Sequence, residues 1–417
     1  MIDTTSRFGR LLPFSPAAIL MLATPLLAAC TLTVHDDPSA LHSEIDEPPA
    51  AEHVDAVERA RPVVRAFVVE ENLPGLSLAV AMDGEIVWAE GFGWADIEAR
   101  RPVTPKTLFR VGSVAMPMTA TAVGLLHERG LLDLDAPVRD YVPSFPEKEW
   151  SITTRQLMGH VAGVRHYNDD EELLYMRSHC ESPLDGLELF AGDPLLFAPG
   201  TRYEFSSYGW TLVGAAVEAA AGEPFLDFMQ REVFDPLGMG DTVLDDPTRP
   251  QAETTGFYWP FAARDPTHGI EDSNNPDNTC IQGAAALLST PSDVVRFGAA
   301  MLDGRLIRAG TLDMLRTPLE LESGESTGYG LGWFFRSAPF GPEANTTVFG
   351  HGGISAGGST SFMTLPEHGI VVAVTTNVSY AANLPSLSLQ LAHIFAGVEQ
   401  SLRGEPARMH EFRPQAW

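Results

Sequence analysis

The sequence predicts an α+β fold, and three stretches carry that reading. The first is a hairpin. Leu76 to Met82 and Glu85 to Gly91 are apolar, alternating runs joined by Asp83-Gly84, a strong two-residue turn signal. The second is Gly112-Ser113 followed by an unbroken run of small and apolar residues to Leu126, closed by Gly130, which reads as a helix with a glycine stop. The third is at the far end of the chain. Strands over Ser361–Leu365 and Gly369–Thr376 are followed by a helix over about 384–397, so sheet and helix come from both ends of the sequence.

Between these anchors the elements follow in order. A helix is expected over about 52–70, broken or started near Pro62. An alanine-rich helix follows Ser206-Ser207 and ends near Gly222, and Asp235-Pro236-Leu237-Gly238 reads as a helix stop. Gly283 to Ser289 turns into a helix whose expected cap is Ser292. Tyr329-Gly330-Leu331-Gly332-Trp333 is expected to start a strand.

The chain has 417 residues, and 27 Lys+Arg against 55 Asp+Glu give a formal net charge of −28. So acidic a surface excludes nucleic acid and anionic lipid as natural partners. Residues 1–29 read as a lipoprotein signal peptide. Arg7 and Arg10 precede an apolar stretch interrupted by prolines, which ends at Leu27-Ala28-Ala29-Cys30, with Cys30 as the lipidated residue. Thr31 after the cysteine points to an outer-membrane lipoprotein facing the periplasm of a bacterial envelope, with the membrane contacted through the lipid anchor. Residues 30–54 are polar and read as a tether, 55–398 as the folded domain and 399–417 as a loose tail. Cys180 and Cys280 remain in the mature chain, either paired or as two isolated thiols. No metal-ligand spacing and no cofactor motif is present, and the oligomeric state is left open.

Ser113 is the leading candidate for chemistry. At a helix start it lies among unpaired backbone N–H groups and the positive end of the dipole, which suits either a nucleophile or an ordinary N-cap. Gly-Ser-x-x before a hydrophobic helix resembles the first motif, Ser-x-x-Lys, of the penicillin-recognising serine hydrolases: class C β-lactamases, D-alanyl-D-alanine peptidases and related esterases. Phe205-Ser206-Ser207 stands at the second motif, Tyr-x-Asn, and His351-Gly352-Gly353 at the third, Lys/His-Thr/Ser-Gly. Leu132-Asp133-Leu134-Asp135 and the run from Leu157 to Gly163 resemble the class C-like group, while Arg165-His166-Tyr167 and Phe145-Pro146-Glu147-Lys148-Glu149 look most like its mitochondrial serine β-lactamase-like branch and bacterial relatives.

The resemblance spans about 55–398. It implies a β-lactamase/transpeptidase-like architecture: an antiparallel sheet flanked by helices, with a mainly helical subdomain over roughly 113–290. It places Ser113, Met116, Phe205, Ser207, His351, Gly353 and Ile354 around one pocket, with the Ile354 N–H completing an oxyanion hole. It also implies a small-molecule or peptide ligand, cell-wall-like or an ester. The sequence departs from the family where protons move. Met116 stands for the lysine and Phe205 for the tyrosine, and neither can accept a proton, a loss on the order of 10²–10⁴ in rate for general-base catalysis. The expected reading is therefore a catalytically impaired or inactive binder. The alternatives are a working hydrolase acting through a Ser113 acyl-enzyme, with His351 or another group as base, and a structural envelope protein. His160 is expected to order a loop rather than act as a base.

Overall fold

The computed structural model describes residues 33–167, 177–261, 264–273, 276–341 and 344–398, and these belong to one compact unit that begins at Leu32. The expected signal peptide, Cys30 and the expected tail from 399 lie outside the described residues.

An antiparallel sheet forms the centre. The hairpin pairs β2 (Gly75–Met82) with β3 (Glu85–Asp96), with Asp83 and Gly84 both at positive φ as the turn requires. The C-terminal strands β10 (Phe334–Pro339), β11 (Asn345–Ser355), β12 (Gly358–Leu365) and β13 (Ile370–Thr376) complete it. With β1 (Ser43–Ile45) at one edge, the order is β1-β3-β2-β13-β12-β11-β10. The middle strands are buried on both faces, which is why their sequences are nearly continuous apolar runs. Along β2, Leu76, Leu78 and Val80 join the core under α1 (Val54–Glu70) and α9 (Leu384–Phe395), while Ala79 and Ala81 join the larger core on the other side.

That larger core belongs to α2 (Ala115–Glu128), the short helices α3 (Thr154–Met158) and α4 (Pro183–Gly186), α5 (Ser207–Ala221), α6 (Phe225–Met229), α7 (Pro291–Asp303) and α8 (Ala309–Arg316). Helix α2 is apolar all round, with every residue from Ala115 to Leu126 buried, so it runs through the interior. Smaller strands β4 (Arg101–Pro102), β5 (Phe109–Arg110), β6 (Val243–Leu244), β7 (Tyr258–Pro260), β8 (Ile270–Asp272) and β9 (Leu287–Ser289) stitch the two parts together, with β9 between β5 and β6.

Four expectations are corrected. Residues 33–53 of the expected tether are docked: Leu41 is buried, Arg65 donates to the Pro38 and Leu41 carbonyls, and β1 pairs with β3. Helix α1 passes through Pro62 unbroken, because its buried face of Ala56, Val57, Ala60, Val64 and Val68 outweighs one lost backbone bond. The cap of α7 is Thr290, which accepts from the Asp293 N–H; Pro291 takes the first helical position and Ser292 falls inside the helix. Tyr329–Trp333 precedes the strand rather than starting it, since β10 begins at Phe334. The question left open for the cysteines is answered: Cys180 and Cys280 form a disulfide across 100 residues.

Candidate active site

The site is built where the start of α2 meets the open edge of β11. Strand β10 pairs with β11 only as far as Phe334 opposite Gly350, so beyond that point β11 keeps β12 on one side and turns its other edge to the Ser113 turn. Backbone approaches backbone there, and two glycines permit it. A Cβ on Gly353 would lie 2.0 Å from the Val111 carbonyl oxygen and 3.2 Å from the Ser113 nitrogen; one on Gly112, at φ +54°, would lie 2.8 Å from the Ile354 nitrogen. Val111 leads through a 3₁₀ turn (Gly112–Val114) into α2. Ser113 is 7% exposed, and its hydroxyl makes no hydrogen bond to any described residue and caps nothing. The capping alternative for Ser113 is therefore not what the fold uses.

Arg110, three residues before Ser113, braces this junction. Its guanidinium donates to Asp245 (2.7 Å), the Ala356 carbonyl (2.7 Å) and the Pro276 carbonyl (2.9 Å), and stacks 3.7 Å over Phe257. The lead-in strand is thereby tied to the β11–β12 turn. Arg110 carries a usable signal in the sequence, as a lone arginine beside the serine motif in an apolar run.

The remaining pocket positions lie in a cluster of aromatic and histidine rings. Met116 is fully buried, its sulfur 3.9 Å from the Tyr329 hydroxyl. That hydroxyl lies 2.9 Å from His351 Nε2, and His351 Nδ1 lies 2.6 Å from the Gly352 carbonyl oxygen. A carbonyl can only accept, so Nδ1 carries the proton, Nε2 is the acceptor and Tyr329 donates to it. Burial pushes His351 down to about 4 and Tyr329 well above its ordinary value, so both are neutral at pH 7. The Phe205 ring lies 4.4 Å from that of His160, 5.6 Å from His166 and 6.5 Å from His351. His160 Nδ1 accepts the Ser206 N–H, and His166 Nδ1 accepts the Ser207 N–H, so both order the start of α5. Burial lowers His166 to about 3 and His160 well below its usual range. Ser207 is the first residue of α5 and buried, while Ser206 is its cap.

The structure thus brings Ser113, Met116, Phe205, Ser207, His351, Gly353 and Ile354 to one region, as read from the sequence, and adds Tyr329, which the sequence reading assigned to a strand. His351 does not face Ser113 with a free acceptor, because Tyr329 occupies Nε2. No cluster of metal-ligating side chains is present among the described residues. A cavity of about 400 Å³ lined by Asp245, Asp246, Thr254, Phe257 and Asp272 touches the Arg110 brace through Asp245 and Phe257 but includes none of the pocket positions.

A serine at the buried start of a helix, against an antiparallel strand edge through two glycines, defines the penicillin-recognising serine hydrolase architecture. The β-lactamase family matches residues 60–393, and the chain belongs to that family. It is 28% identical to the human mitochondrial serine β-lactamase-like protein LACTB, over 81% of this chain and 79% of that one. It is 25% identical to penicillin-binding protein 4* of Bacillus subtilis strain 168, over 79% and 74%. Among solved structures, the D-amino acid amidase of Ochrobactrum anthropi SV3 superposes with a TM-score of 0.68 at 24% identity, covering 82% of this chain and 98% of that one.

Proposed function

We propose that this protein is a binding member of its family: it recognises a cell-wall peptide or a β-lactam-like ligand at Ser113 and turns it over poorly or not at all. The observation that carries the reading is that no described residue accepts a hydrogen bond from Ser113 Oγ. Attack of Oγ on a carbonyl requires its proton to leave as the C–O bond forms. Among the described residues Oγ has no hydrogen-bonded base, Met116 and Phe205 are apolar, and the acceptor nitrogen of His351 is filled by Tyr329. Carbonyl recognition survives. The Ser113 and Ile354 N–H groups lie on the two sides of the Gly112–Gly353 contact and supply the oxyanion donors in this reading. Binding energy without proton transfer gives affinity without rate.

Anchorage in the envelope through Cys30, with the domain facing the periplasm of the outer membrane, belongs to the same proposal. A disulfide that joins the only two cysteines after Cys30 suits an oxidising compartment.

The experiment is to titrate benzylpenicillin by calorimetry and, in parallel, to follow its absorbance and that of p-nitrophenyl acetate. The reading expects saturable binding with hydrolysis no faster than in Ser113→Ala. Hydrolysis that depends on Ser113 selects the working-hydrolase alternative. No binding and no turnover, with self-association on sizing, selects the structural one.

A further inference from the structure

The buried arginines of this chain are handled in two ways. Arg110 is surrounded by Asp245 and two carbonyls. Arg316, the last residue of α8, is 7% exposed and sandwiched between two rings, with its guanidinium carbon 4.7 Å from the Trp333 centroid and 4.9 Å from that of Phe349. Its Nε and Nη2 make no hydrogen bond among the described residues. Burial lowers its pKa only to about 10, so it stays charged at pH 7. Asp313, three residues earlier on the same helix, attracts the charge without hydrogen-bonding to it, so the in-plane Nε and Nη2 donors stay unsatisfied.

Those two nitrogens are the informative pair. Their N–H bonds leave the same edge of the guanidinium in parallel, which is the fork that fits two oxygens of one carboxylate. The chain uses this edge so elsewhere. Arg61 Nε and Nη2 reach Glu90 Oε1 and Oε2 at 2.9 and 2.8 Å, and Arg155 Nε and Nη2 reach Asp135 Oδ1 and Oδ2 at 2.7 and 2.9 Å. At Arg316 the same fork is unfilled.

Its place in the fold gives it an address. Phe349 precedes His351 by two residues on a regular stretch of β11, so both side chains are on one face. The segment after Arg316 carries Leu319, whose N–H bonds the Tyr329 carbonyl, and Tyr329 is the partner of His351. The two nitrogens of the fork are closed off from solvent, so a ligand reaches them only by moving a neighbouring side chain, and of the two flanking rings Phe349 is the half-buried one.

We propose that Arg316 is an anion-binding residue whose Nε–Nη2 edge takes a carboxylate arriving along the Phe349 side of β11. The proposal extends the ligand reading above without resting on it, since a carboxylate can seat there whether or not Ser113 reacts.

The test uses the folded domain at constant ionic strength, with sodium acetate, sodium phosphate and sodium chloride as probes. Acetate is expected to raise the thermal midpoint saturably over chloride and to shift the Arg316 Nε–H resonance in arginine-labelled protein. Arg316→Lys, which keeps the charge but not the fork, and Arg316→Met are both expected to lose the response. Acetate acting like chloride on the wild type overturns the proposal, as does either variant responding like the wild type. If Arg316→Met does not fold, Arg316→Lys and the resonance decide. Phosphate preferred over acetate overturns the carboxylate assignment. A further arm with N-acetyl-D-alanine separates the sources. Affinity equal to that of acetate supports a free carboxylate anion, and tighter binding supports the carboxylate end of a longer ligand.

Discussion

Lowering the pH from 7 to 5 should destabilise this protein through its buried histidines. His351 and His166 are neutral in the fold, pushed by burial from 6.5 to about 4 and about 3. Unfolded, each binds a proton near 6.5, so below that pH the unfolded state holds more protons and stability falls with pH until the folded groups titrate as well. For each residue the ratio of proton-binding polynomials gives about 2 kcal/mol between pH 7 and pH 5, or about 4 kcal/mol for the pair. His160 and His35, also lowered by burial, add in the same direction. His179, raised by Asp277, and the carboxyls of half-buried Glu71 and buried Asp293, raised by desolvation, work against it. The assay is urea unfolding followed by circular dichroism at pH 7, 6 and 5, with His351→Gln and His166→Gln alongside. Each variant should lose about 2 kcal/mol of the difference between pH 7 and pH 5, whatever its absolute stability. A flat wild-type profile, or full slopes in both variants, refutes the account of these histidines as a desolvated, neutral cluster.

Three further outcomes follow from the packing. Replacing Cys180 and Cys280 with serine frees a 100-residue loop and should cost about 2–5 kcal/mol in urea unfolding, matched by reduction of the wild type. Asp245→Ala leaves Arg110 buried with its charge uncompensated and should cost roughly 3–5 kcal/mol, read from the same curves. Gly353→Ala would put a methyl group 2.0 Å from the Val111 carbonyl oxygen; it should cost about 1–3 kcal/mol and weaken penicillin binding in calorimetry, because β11 must move away from Ser113.

What the sequence revealed and what it hid divide along the range of the interactions. The Asp83-Gly84 hairpin and the Gly112-Ser113 helix start are local signals, and both hold in the structure. The site positions were legible as an ordered set of motifs, because each motif keeps its own few residues. Tyr329 was not, since its role comes from a hydrogen bond to His351 across a sheet edge, and Tyr-Gly-Leu-Gly-Trp alone reads as strand. The pairing of Cys180 with Cys280 was hidden for the same reason. The docking of residues 33–53 was hidden by their polar composition, because one buried leucine, Leu41, is joined by backbone and polar contacts that leave no apolar pattern: the pairing of β1, the Arg65 bonds to the Pro38 and Leu41 carbonyls and the His35 bond to the Pro74 carbonyl. Arg316 looks like any helix-ending arginine until the rings of Trp333 and Phe349 close on it.

The central claim is that Ser113 sits in an intact pocket from which the proton machinery is missing. Labelling with a fluorophosphonate probe, read by intact mass beside Ser113→Ala, tests it most directly. The account predicts no adduct on the wild type and an adduct on the Met116→Lys, Phe205→Tyr double variant. A stoichiometric adduct on the wild type, lost in Ser113→Ala, would mean that Ser113 is already activated and would contradict the claim.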